Sequence, residues 1–160
     1  MQRVTVLCVG SLKETYWKEA LREYEKRLSS LCAFTLTELP ESKLPDKASD
    51  RDIQTTIESE GKRLLAALPD GCDVVALCVE GKELSSPELA SFLETSALRG
   101  KNGVCFVIGG SYGLSDDVKR RADLRLSFSK LTFPHQLFRV MLAEQIYRAY
   151  QIQNHTKYHK

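Results

Sequence analysis

The sequence has no C-x-x-C pair, and its five cysteines (Cys8, Cys32, Cys72, Cys78 and Cys105) are scattered and odd in number. That argues against a disulfide framework, a zinc ribbon or a dithiol redox centre. The three histidines, His135, His155 and His159, all lie late in the chain, away from the cysteines, so no metal site is expected. Cys8, Cys78 and Cys105 stand inside apolar runs, where cysteine serves as a small buried hydrophobe. No run approaches the roughly 20 apolar residues of a membrane span. The apolar stretch within Met1–Gly10 is too short for a signal peptide and no cleavage site follows it. A cytoplasmic protein without a membrane contact is the expectation. There is no G-x-x-x-x-G-K-[ST] loop and no G-x-G-x-x-G fingerprint, which excludes a P-loop nucleotide site and disfavours a dinucleotide-dependent oxidoreductase. Repeats and low-complexity segments are absent too.

Acidic residues run out toward the C-terminus. Residues 117–160 carry nine Lys or Arg against Asp117, Asp123 and Glu144, a local balance of +6, which leaves −4 for residues 1–116 out of the total of +2. After Glu144 no acid follows, while Arg148, His155, Lys157, His159 and Lys160 do. A chain polarised in this way presents its positive end to an anion, nucleic acid being the common one, unless the end is only a solvated tail.

The 160 residues are read as one domain, 1–160, with a composition ordinary for a globular protein. Val4–Val9 is a β-branched apolar run ended by Gly10. Glu14–Leu28 places Tyr16, Ala20, Leu21, Tyr24 and Leu28 at helical spacing, and Phe34–Leu39 alternates as a strand does. Pro40–Asp50 reads as a loop, Ile53–Leu68 as a helix stopped by Pro69-Asp-Gly71, and Val74–Val79 as a continuous apolar strand. A helix opens at Ser86-Pro87-Glu88 and closes by Gly100–Gly103. Val104–Ile108 is the most apolar strand. A short helix from Ser115 to Ala122, a strand over Leu124–Phe128, a loop over Ser129–Pro134 and a long helix from His135 to Ile152 complete the chain. Alternating strands and helices with continuously apolar strands predict an α/β fold: a mostly parallel sheet with helices on both faces. Ligands of such sheets sit at the carboxyl ends of strands, which directs attention to the loops Glu80–Lys82, Gly109–Gly113 and Ser129–Pro134.

Gly109-Gly110, directly after the most apolar strand, lets a ligand or another piece of backbone approach closely, because no Cβ intervenes. A tight structural turn explains such a pair equally well. In the last helix Leu137, Phe138, Val140, Met141, Leu142, Ala143, Ile146, Tyr147, Ala149 and Tyr150 leave little polar surface. Either the core or a second copy of the chain must cover its further face.

Phe106-Val-Ile-Gly-Gly-Ser-Tyr-Gly113, Leu126-Ser-Phe-Ser-Lys-Leu-Thr-Phe-Pro-His135, Arg139-Val140 with Ala143-Glu-Gln-Ile-Tyr-Arg-Ala149, and the ending Tyr158-His-Lys160 resemble the bacterial large-subunit ribosomal RNA methyltransferase H family (RlmH), a minimal branch of the SPOUT class. The resemblance spans the chain, including Val9-Gly10, Leu77 and Gly81-Lys82. It implies a SPOUT-like domain with a C-terminal trefoil-type knot, which composition and periodicity do not reveal. It also implies a homodimer that methylates N3 of a pseudouridine in 23S rRNA of the assembled 70S ribosome, using S-adenosylmethionine and no metal. The cofactor pocket it implies comprises Leu77, Gly109, Phe128, Ser129, Lys130, Leu131, Thr132 and Phe133, with Lys130 contributing backbone only. Arg148, Tyr158 and His159 are the candidates for holding charge or moving the N3 proton, and in the family this ending lies near the cofactor of the partner subunit. Arg148 paired with Glu144, four residues earlier, and a frayed tail are the alternatives for these residues. A non-catalytic ribosome- or RNA-binding factor on the same fold is the alternative function.

Overall fold

A computed structural model describes all residues from Met1 to Lys160. Its elements in chain order are β1 (Arg3–Val9), α1 (Thr15–Leu28), β2 (Ala33–Leu39), α2 (Asp50–Ala67), β3 (Asp73–Glu83), α3 (Ser86–Leu98), β4 (Gly103–Ile108), α4 (Asp116–Arg121), β5 (Leu124–Ser127) and α5 (His135–Gln153). The five strands form one sheet in the order β2-β1-β4-β3-β5, and every pairing is parallel. The expected α/β architecture is therefore present, with helices on both faces.

Strand alternation divides the core. Val4, Val6 and Cys8 of β1, with Val104, Phe106 and Ile108 of β4, point to the face covered by α1, α3 and α5, where they meet Leu28, Leu93, Leu142 and Ile146. Leu7 and Val9, with Cys105 and Val107, point to the opposite face, where Leu64 of α2 and Val118 of α4 close the second layer. Central β4 is buried at all six positions, which explains its unbroken apolar sequence. Burial pushes the thiols of Cys8 and Cys32 up to about 11 and that of Cys105 up to about 12. They stay protonated and pack as hydrophobes.

Two boundaries differ by more than one residue from the sequence-based expectation. The α2 helix begins at Asp50 rather than Ile53, because Ser49 and Asp52 form a reciprocal capping box. The β3 strand does not end at Val79. It pairs with β5 at Leu77, leaves the ladder, and pairs again at Lys82 and Glu83. A Cβ on Gly81 would stand 2.8 Å from the backbone of Arg125 and Leu126, so only glycine lets β5 pass this bulge. The detour pushes Cys78, Val79 and Glu80 out of the sheet plane, where they become one wall of a cavity.

Candidate active site

The cavity, about 380 Å³, opens at the carboxyl ends of β3, β4 and β5. Its walls are the β3 bulge, the hairpin Gly109–Leu114 after β4, the segment Leu126–Phe133 running out of β5, and the start of α5 at His135 and Phe138. Of the eight expected cofactor residues, Leu77, Gly109, Phe128, Ser129, Leu131, Thr132 and Phe133 line it. Lys130 is exposed and is not on the lining. The 128–133 segment is locally built: Ser127 Oγ donates to Ser129 O at 3.0 Å, and Leu131 N donates to Ser129 Oγ at 3.0 Å. Phe138 packs 4.7 Å from Phe128 and 6.4 Å from Phe133, anchoring the segment to α5. Val79, Tyr112 and Leu131, three of the six exposed large hydrophobic residues, stand on the cavity walls. Such a concentration of exposed apolar surface is what sites of interaction or ligand binding commonly show.

Gly109 and Gly110 face different neighbours. A Cβ at Gly109 would lie 2.6 Å from Gly113 C and O and 3.0 Å from Leu114 N. The approach that excludes a side chain there is by the chain's own backbone, as the hairpin folds back through the Gly113 N–H to Gly110 O bond of 3.0 Å. A Cβ at Gly110 would instead meet Glu60 Oε1 at 3.0 Å, a contact invisible in the sequence. Gly113 closes the turn at φ +86°.

The chain's ending is folded back rather than frayed. Arg148 donates through Nε to Glu144 Oε1 at 2.8 Å, with its Nη2 2.6 Å from the same oxygen. Tyr158 Oη donates to Glu144 Oε2 at 2.8 Å, and the Arg148 guanidinium stacks 4.7 Å from the Tyr158 ring. Arg148 Nη1 lies 3.3 Å from His159 Nδ1. A guanidinium can only donate, so in this contact Nδ1 is the acceptor, which leaves Nε2 as the ring's donor. Tyr147 meets Tyr158 edge-on at 4.9 Å and Tyr24 of α1 at 6.3 Å. Burial, and then the Glu144 carboxylate, pushes the Tyr158 phenol up and Tyr24 up to about 12. Both phenols keep their protons at neutral pH and donate rather than accept.

The structure thus brings Arg148, Tyr158 and His159 together, but away from the cavity of their own chain. Phe138 lines the cavity, and Arg148 stands ten residues further along α5, ~15 Å along the helix axis. The hub, Glu144, was visible in the sequence only as a partner of Arg148. Tyr24 carried no signal, because its contact with α5 crosses more than a hundred residues.

The comparisons with known proteins agree over nearly the whole chain. The family model described as "Predicted SPOUT methyltransferase" matches residues 2–159. Relatives named "Ribosomal RNA large subunit methyltransferase H" are 48% identical in Clostridium perfringens and 50% in Clostridium novyi, each over 98% of this chain and 99% of the relative. One of the same name from Clostridioides difficile is 46% identical over the same span. Among solved structures, a putative methylase family protein from Neisseria gonorrhoeae superposes with a TM-score of 0.52 at 15% identity, covering 91% of this chain and 82% of that one. A probable methylase family protein from Haemophilus influenzae gives 0.51 at 12%, covering 98% and 70%. These two likenesses speak for the fold alone. On the full-length match and the close relatives, the chain belongs to the SPOUT methyltransferase family.

Proposed function

We propose that the protein is an S-adenosylmethionine-dependent methyltransferase that modifies N3 of a pseudouridine in 23S rRNA of the assembled 70S ribosome. In this reading it is a cytoplasmic, single-domain protein acting as a homodimer. The observation that carries the reading is the convergence of seven expected cofactor residues on one cavity at the strand ends, in a chain about half identical to relatives named as ribosomal RNA methyltransferases.

The residues fit the cofactor. At about 380 Å³ the cavity lies within the size range of small-molecule sites. Leu77, Phe128 and Leu131 offer apolar contact for an adenine, and backbone groups of residues 128–133 can read its edge. The Gly109 hairpin brings bare backbone to the remainder. When bound, S-adenosylmethionine supplies an activated methyl group on a sulfonium. The chain's own task is to hold the acceptor nitrogen in line and to stabilise the charge that develops as N3 loses its proton.

Arg148, with Glu144 holding two of its nitrogens on one carboxylate oxygen, is a fixed cation for a phosphate or a developing anion. Tyr158 remains a phenol and orients Glu144. His159, with Nδ1 turned to Arg148, keeps Nε2 as its donor. Because this group lies ~15 Å along α5 from the cavity of its own chain, a second copy must bring it to the cofactor. Leu137 and Met141 of α5 are half-buried and belong to none of the packed core clusters, which supports a second copy on that face. The trefoil-type knot is part of the same reading. It rests on the match to the SPOUT family over residues 2–159.

The test is single-turnover transfer of labelled methyl from S-adenosylmethionine to ribosomes lacking the modification, with mass mapping of the product. The expected result is one methylated pseudouridine in 23S rRNA. A folded protein that binds ribosomes but not S-adenosylmethionine would instead be the non-catalytic factor.

A further inference from the structure

Three charged side chains are buried in this protein, and two of them are balanced. Asp73 faces Arg99 at 2.9 Å and Lys101 at 3.8 Å. Arg139 donates through Nη2 to Val9 O and Gly10 O at 3.0 and 2.9 Å and has Glu38 3.5 Å from Nη1. The third, Glu60 of α2, is 5% exposed. Its one hydrogen bond is from Ser42 N to Oε2 at 3.0 Å, and no cation pairs with it. Arg63, one turn on, is turned instead to Pro40 O, Ser42 Oγ and Ser59 Oγ. A buried carboxylate without a cation is costly, so its place in the fold matters.

Its free oxygen, Oε1, stands 3.0 Å from where a Cβ of Gly110 would be, and Gly110 lines the cavity. The anion is separated from the cavity by one layer of side-chain-free backbone. The charges on the cavity wall itself cancel, because Glu80 is paired with Lys119. Glu60 is therefore the one buried charge without a counter-ion, and it stands beside the Gly109–Gly113 hairpin.

We propose that Glu60 is a specificity-determining residue: acting through Gly110, its carboxylate favours a cationic sulfonium ligand in the cavity over the neutral thioether of the same shape. This rests on the cofactor reading above. When the methyl group leaves, the C–S bond breaks with its electron pair staying on sulfur, and the ligand loses its positive charge. Glu60 then favours the fresh methyl donor over the spent product and promotes their exchange. The same carboxylate holds the loop after β2 by accepting from Ser42 N.

The experiment compares S-adenosylmethionine with S-adenosylhomocysteine by calorimetry in the wild type, in E60Q and in E60M. Glutamine keeps an acceptor for Ser42 N–H without the charge, and methionine replaces the buried charge by an apolar side chain of similar length. The readout is the ratio of the two affinities, in which any general loss of binding cancels. Removing one uncompensated unit charge from beside the cavity predicts that the preference for the sulfonium over the thioether falls severalfold. Either neutral variant that folds suffices. An unchanged ratio, or equal weakening of both ligands, overturns the proposal and leaves Glu60 as a loop-positioning residue. A wild type that binds neither ligand refutes the cofactor reading itself, and this inference falls with it.

Discussion

Replacing Gly109 by alanine adds one methyl group and nothing else, yet the structure leaves no room for it. The added carbon would stand 2.6 Å from Gly113 C and O and 3.0 Å from Leu114 N, distances that only a backbone shift can relieve. Overpacking of this kind costs about 1–3 kcal/mol, which for a chain of this length lowers Tm by roughly 2–12 °C. The hairpin that must shift is a wall of the cavity. If the same distortion must be reversed before the cofactor seats, affinity falls about five- to a hundredfold. Gly113→Ala is the internal comparison. Nothing lies within 4 Å of its added carbon, and only the φ of +86° opposes it, so the cost is about 1–2 kcal/mol of backbone strain. Urea unfolding gives the stabilities, and calorimetry with S-adenosylmethionine gives the affinities. A G109A protein with wild-type stability and wild-type affinity would refute the claim that position 109 is reserved by the chain's own backbone. Wild-type stability with lost binding would show that the ligand alone requires this glycine.

Deleting Tyr158–Lys160 removes partners of Glu144 and Arg148 but nothing that lines the cavity. Cofactor affinity and dimer mass should therefore be retained while single-turnover methylation of ribosomes drops by about a hundredfold or more, the scale of a lost charge-stabilising group; a wild-type rate would make the tail a solvated end. Sedimentation should give twice the 18.1 kDa chain mass, and L137E/M141E should give a folded monomer that binds cofactor but does not methylate; a wild-type protein that is monomeric at micromolar concentration refutes the two-chain site. Burial raises Cys8 and Cys32 to about 11 and Cys105 and Tyr24 to about 12, against 9.0 for a free thiol and 10.0 for a free phenol. The unfolded chain thus loses these protons first, and stability should be full below about pH 9 and fall progressively as pH rises toward 12. Urea unfolding that gives equal stability at pH 8 and pH 11 would contradict that burial.

The sequence alone determined the order of ten elements, because each is carried by local signals. Val4–Val9 of β1 has Thr5 as its only polar residue and Val104–Ile108 of β4 has none, Ser86-Pro87-Glu88 opens α3, and glycine or proline punctuates the ends. The cavity segments 109–113 and 128–133 were legible for the same reason, as loops at the ends of continuously apolar strands. The strand order β2-β1-β4-β3-β5 was not legible, since it depends on which apolar edges meet across long loops. Nor was the β3 bulge, whose cause is the approach of β5 backbone to Gly81 some forty-five residues away. The glycine pair at 109 and 110 was visible as a need for bare backbone, but what fills the space, Gly113 in one case and Glu60 in the other, exists only after folding. Tertiary structure alone decided that Tyr24, Glu144, Arg148, Tyr158 and His159 form one cluster, and that this cluster stands ~15 Å along α5 from the cavity of its own chain. Helical spacing places residues four apart on one face; only packing decides which distant element or second copy that face meets.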